Sequence, residues 1–179
     1  MNADSGEVKW ERWQKERRFV RELTGLYDDV YKKVLEAPRV FKSKEIAFQG
    51  GPVAFGKHII SAKIPESATQ VIETHIEVLA PGGESQKHGH LNGAVMYALE
   101  GRGYEIHDGE RLDWEAGDAF VVKNSCVHQH FNADPDKPSR LLVMKGKPVY
   151  MFFHLLYQKT VQLPPEEPIP GWEEWRPEE

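Results

Sequence analysis

The chain has little cysteine, no excess of basic charge and no long apolar run. Cys126 is its only cysteine, so no internal disulfide can form. Acidic residues outnumber basic ones by 28 to 23, a net charge of -5. That balance lacks the basic face a nucleic-acid partner needs. No apolar stretch reaches the ~20 residues of a membrane span, and the residues after Met1 show no signal-peptide pattern. Together these absences imply a cytoplasmic protein with neither nucleic acid nor membrane as partner. Internal repeats are also absent. Low complexity is confined to a proline- and glutamate-rich tail.

With 179 residues and 40% hydrophobic content, the chain can bury one sizeable core and still carry appendages. Val20, Leu23, Tyr27, Val30, Tyr31 and Val34 recur at three- and four-residue spacing, which predicts an apolar helical stripe. Gly25 interrupts it and Pro38 ends it. From about Val40 short runs rich in Val, Ile, Phe and Tyr alternate with turn residues. Such runs span residues 70–80, 93–100, 104–107, 118–123, 127–132, 140–145 and 149–157. Asp108-Gly109 is a strong signal for a two-residue hairpin. Many short strands at this spacing predict an all-β sandwich or barrel. Five prolines between Leu163 and Glu179 exclude helix or sheet interior there. The expected organisation is a helical arm over 1–37, a β-barrel over 38–160 and an arm over 161–179. The arm packs on the body or on a neighbour. Trp10, Trp13, Trp172 and Trp175 lie in the two arms, which points to a homodimer or higher homo-oligomer.

The residues that suggest chemistry are histidines. On a strand His88 and His90 project to one face, and His128 lies on a later strand. Three neutral imidazoles suit a first-row metal such as Fe(II) and leave positions open for substrate and O2. His130 shares the parity of His128. It reads either as a substrate-facing acid–base group or as a core histidine.

Gly82, His88, His90 and the Gly101-x-Gly103 turn match the first motif of the cupin superfamily, while Gly117, His128 and Asn132 match the second at the right spacing. Lys123 and Ser125 stand where that motif has proline and glycine. The resemblance covers roughly residues 70–157 and implies a double-stranded β-helix, the jelly-roll barrel. A cupin glutamate should follow His90 by four or five residues, but those positions are Ala94 and Val95. With that carboxylate absent, the chain resembles the three-histidine ring-cleaving dioxygenases of the gentisate 1,2-dioxygenase type, whose second motif reads as His128-Gln129-His130 does. It departs from them in having room for one cupin domain rather than two. It also has Met96 where they carry an arginine for the substrate carboxylate.

The resemblance implies a metal held by His88, His90 and His128, with His130 as the catalytic residue. Gln86, Asn92 and Met96 are the candidate substrate contacts. The implied function is an Fe(II)-dependent dioxygenase taking a small hydroxylated aromatic compound and O2. Alternatives are a cupin using Mn, Ni, Zn or Cu as isomerase or lyase, and a non-catalytic small-molecule-binding barrel. Among the other histidines, His75 and His154 read as satisfied core residues in strands. His107 reads as exposed beside the hairpin, and His58 carries no signal. Cys126 reads as a buried, inert thiol.

Overall fold

The computed structural model of the protein describes residues 36–61 and 71–178. By its internal contacts the chain divides into two units, Met1–Arg39 and Val40–Glu179. The predicted helical stripe and Trp10 and Trp13 lie outside the described residues.

Among the described residues, eleven strands and one short α-helix follow in order: β1 (Gln49–Gly50), β2 (Ala54–Ile60), β3 (Glu73–Leu79), β4 (Lys87–His90), β5 (Ala94–Glu100), β6 (Arg102–His107), β7 (Glu110–Glu115), β8 (Ala119–Val122), β9 (Val127–Asn132), β10 (Ser139–Lys145), α1 (Lys147–Phe152) and β11 (Gln158–Gln162). They form a six-stranded sheet, β1-β2-β3-β10-β5-β8, and a five-stranded sheet, β11-β4-β9-β6-β7. All these pairings are antiparallel. The protein has the cupin double-stranded β-helix fold.

Alternation sets the inner faces. In β5 Ala94, Met96 and Ala98 are buried while Val95, Tyr97 and Leu99 are exposed. Neighbouring strands add Leu141, Val143 and Val122, and with Trp114 and Cys126 these residues make one apolar cluster. In β6 the inward positions are Gly103, Glu105 and His107. Asp108 (φ 49°) and Gly109 (φ 93°) turn the chain between β6 and β7, the left-handed pair that a two-residue hairpin requires. Ser125 holds φ 65° at the motif position where glycine is usual, so the backbone keeps that bend at the cost of a strained side-chain-bearing residue. Asn132, the last motif residue, is a strut. Its amide donates to Ala80 O at 2.9 Å and Lys137 O at 2.8 Å, and its oxygen accepts from Asp134 N at 2.9 Å.

One expected strand is not one. Residues 149–152 lie in α1, with Gly146 at its N-cap and Pro148 in its first turn. Proline pre-sets helical φ and cannot donate to a ladder. The strand comes later, as β11, which pairs with β4. His154, expected in that strand, follows the helix at φ 57° and is exposed. The C-terminal arm packs on its own barrel. Trp175 meets Phe55 edge-on at 5.7 Å, and Arg140 Nη2 donates to Glu178 O at 3.3 Å.

Gly103 is where β6 passes closest to its neighbours. A Cβ there would collide with Phe131 O and the Trp114 ring. Gly103→Ala is expected to cost about 1–3 kcal/mol, read as a lower urea midpoint at unchanged slope. An unchanged midpoint would show that β6 and β9 can part freely.

Candidate metal centre

Strand register builds the site. His88 on β4 pairs with His128 on β9, and His128 pairs in turn with His107 on β6. Three imidazoles thus lie in one row across the five-stranded sheet. His90, two residues along β4, joins from the same face. The ring centroids of His88 and His128 are 4.3 Å apart, those of His90 and His128 4.8 Å, and those of His88 and His90 5.4 Å. One nitrogen from each of His88, His90 and His128 lies within 4.8 Å of the others.

Each of these rings is oriented by a backbone carbonyl two residues away. His88 Nδ1 is 3.2 Å from Gln86 O, His90 Nδ1 is 2.5 Å from Asn92 O, and His128 Nδ1 is 3.1 Å from Cys126 O. A carbonyl only accepts, so each Nδ1 carries the proton and each Nε2 keeps its lone pair. Outer hydrogen bonds of this kind fix metal-binding imidazoles. Burial holds His88 at about 4 and His128 at about 2, and it lowers His90 as well; the charge of His130 acts in the same direction. All three are neutral near pH 7, ready to bind a cation without first losing a proton. Three neutral nitrogens converging on one point, with their far sides already satisfied, fit a first-row divalent metal.

The three rings open onto a cavity of about 290 Å3. Its lining includes the apolar Met96, Val122 and Val143 and the polar His58, His75, Glu77, His130 and Lys145. Gln86 is in the lining and Pro164 of the C-terminal arm reaches it. Asn92 is not among the lining residues. It is fully buried, its carbonyl steadies His90, and its amide donates to Gly93 O at 3.2 Å.

His130 is held between two carboxylates. Its Nδ1 hydrogen-bonds Glu105 Oε2, and its Nε2 lies 3.8 Å from Glu77 Oε2. Burial alone would lower His130, but Glu105 and Glu77 outweigh it and raise it to about 9. Burial likewise works to raise Glu105, yet His130 and His107 hold it below the usual carboxylate range. Glu77 is raised by burial. Glu105 also accepts from Trp114 Nε1 at 3.1 Å and stands 3.6 Å from His107 Nε2. His107 is therefore buried (8% exposed), not exposed as its place beside the turn suggested. Parity from Gly103 through Glu105 would have shown this. His75 does face the barrel, yet its Nδ1 is buried without a hydrogen-bond partner among the described residues.

Glu105→Gln removes the charge that His130 faces. Taking one partner from a buried pair is expected to cost on the order of 3 kcal/mol, measured by urea unfolding at pH 7. A loss below about 1 kcal/mol would show that the pair is not ionised.

Comparison with known proteins agrees with this architecture. Residues 75–145 match the cupin domain family. A 5-aminosalicylate 1,2-dioxygenase from Comamonas sp. is 27% identical over 96 residues, 53% of this chain and 25% of the relative. A 1-hydroxy-2-naphthoate 1,2-dioxygenase from Nocardioides sp. strain KP7 is 26% identical over 106 residues, 59% of this chain and 27% of the relative. The chain thus spans about a quarter of the length of these curated relatives. A solved salicylate 1,2-dioxygenase from Pseudaminobacter salicylatoxidans superposes with a TM-score of 0.56 at 15% identity, over 74% of this chain and 37% of that one. A point mutant of Bacillus subtilis oxalate decarboxylase superposes at 0.59 with 17% identity, over 71% of this chain and 33% of that one. No helix among the described residues is long and apolar enough to cross a membrane. Residues 75–145 of this chain thus match the cupin domain family, the chain has the cupin fold, and its distant relatives include aromatic 1,2-dioxygenases.

Proposed function

We propose that the barrel binds one Fe(II) through Nε2 of His88, His90 and His128 and serves as a dioxygenase of a small hydroxylated aromatic compound. The observation that carries this reading is the donor set. Three carbonyl-anchored imidazoles form the group, with no carboxylate in it among the described residues. When bound, the metal supplies a Lewis-acidic redox centre at full +2 charge with positions left open for substrate and O2. That charge favours an anionic oxygen donor such as a phenolate. Met96, Val122 and Val143 give the ring an apolar wall and exclude water. Gln86 lies beside His88 in the lining and can hydrogen-bond the substrate. Asn92 acts through His90, as a positioning residue.

His130 is the proton-handling group in this proposal. Glu105 fixes its Nδ1–H, and Nε2 meets the cavity, where it exchanges a proton with the substrate hydroxyl. Glu77, 3.8 Å from Nε2, is the next station. A second reading has support in the oxalate decarboxylase superposition. The same barrel can host lyase or isomerase chemistry on Mn, Ni, Zn or Cu, or can bind a small molecule without turnover. A homo-oligomer is also proposed, because Val95, Tyr97, Leu99 and Val121 expose an apolar outer face. Light scattering at micromolar concentration tests it, and a monomer would refute it.

Iron content and O2 uptake, measured on anaerobically purified protein, test the main reading. His88→Ala and His128→Ala should lose most of the iron. His130→Gln should keep it and lose turnover by ~10²- to 10⁴-fold. Iron retained in both alanine variants would refute the ligand set, and iron lost in His130→Gln would make that residue a ligand. Iron-loaded wild type should consume O2 with neutral phenols or hydroxylated ketones. Gentisate and salicylate should be poorer, because Met96 offers their carboxylate no cation. Uptake with no phenolic compound would favour the second reading. Efficient gentisate turnover would place the carboxylate on another cation of the lining, such as Lys145.

A further inference from the structure

The six-stranded sheet carries a second group of metal-type donors, built by its own register. His58 on β2 is the cross-strand partner of His75 on β3, and the register shifts between His58 and Ile60. A bulge of this kind re-aims the side chain next to it. The two rings lie 5.1 Å apart. Glu73 shares the parity of His75 two residues earlier. One ligand atom from each of His58, Glu73 and His75 lies within 4.8 Å of the others, the same bound that His88, His90 and His128 meet.

We propose that His58, His75 and Glu73 form a second site, for a divalent first-row cation, in the sheet facing the first three histidines. Two imidazoles and one carboxylate are a donor set for Zn(II), Co(II), Ni(II) or Fe(II). The surroundings support it. Glu73 is 1% exposed, and Ser61 Oγ donates to its Oε2 at 3.1 Å. That bond aims the carboxylate and leaves Oε1, which makes no hydrogen bond among the described residues. His75 Nδ1 is likewise buried with no hydrogen-bond partner among them. Burial holds His75 at about 2, so its ring is neutral. A buried carboxylate needs countercharge. Lys145 Nζ and Lys147 Nζ supply it, at 3.9 and 3.7 Å from Oε1. Both stand beyond hydrogen-bonding distance, so a cation bound to Oε1 takes over their role and drives the ammonium groups outward. Lysine competition then sets the affinity of this site and makes it weaker than the all-histidine one. His58 and His75 line the same cavity as the first triad, so occupancy adds a second positive wall to the space where substrate binds.

The test counts Zn(II) bound to the metal-free chain by equilibrium dialysis. The proposal expects two equivalents in wild type, and one each in His58→Ala, Glu73→Gln and His88→Ala. Lys147→Met should bind the weaker equivalent about tenfold more tightly, because one like charge beside the ion is gone. That variant leaves all the proposed ligands in place and keeps the test sharp if an alanine variant fails to fold. A single equivalent that disappears in His88→Ala overturns the second site and leaves the first standing. A single equivalent that disappears in His58→Ala does the reverse. Two equivalents surviving in both His58→Ala and Glu73→Gln, or unchanged affinity in Lys147→Met, also overturns the proposal.

Discussion

The site depends on the register of β9 against its two neighbours. His88↔His128 on one side and His107↔His128 on the other place three imidazoles in a row, while Glu105↔His130 places a carboxylate beside the fourth ring. Side chains alternate along a strand, so a slip of one residue would turn every one of these groups away from the cavity. Several features of the chain hold that register. Gly103 admits the close passage of β6 beneath Trp114 and Phe131. Asn132 ties the end of β9 to Ala80 and Lys137. Ser125 N donates to His90 O at 3.0 Å and fixes the bend that leads into β9. Residues that touch no ligand thus decide where the donor atoms meet.

The second constraint is charge. A barrel interior that buries His90, His107, His128, His130, Glu105 and Glu73 must balance them internally, since water cannot do so. The balance is local. His88, His90 and His128 stay neutral because burial, helped by the charge of His130, opposes their protonation more than the carbonyls that accept from Nδ1–H favour it. His130 holds a proton because Glu105 and Glu77 face it. The result is a neutral trio of donors beside one cationic ring, so a metal and a proton source can share one small cavity without competing.

That His88, His90 and His128 come together could be read from the sequence because two His-x-His pairs on strands have a simple parity consequence. The hairpin at Asp108-Gly109 was readable for an equally local reason, since few residues accept left-handed φ. What could not be read depends on partners distant in sequence. Glu77 and Glu105 alternate with apolar neighbours and look like solvent-facing carboxylates until the sheets face one another. His107 looks exposed because the turn is next to it, yet its partner across the sheet is His128. His58 has no local context at all, and its significance comes from its register with His75. The misplaced strand over 149–157 shows the opposite failure. Its apolar, aromatic run has strand composition, but Gly146 and Pro148 start a helix before a ladder can form.

The most direct test of the account is the coordination shell of the protein loaded with one equivalent of iron, which fills the tighter, all-histidine site. X-ray absorption at the iron edge should show three imidazole ligands, the remaining positions filled by light oxygen donors, and no sulfur. It should show two imidazoles in His128→Ala if any iron remains. A shell with one imidazole or none, or with a thiolate contributed by Cys126, would contradict the claim that His88, His90 and His128 are brought together to hold the metal.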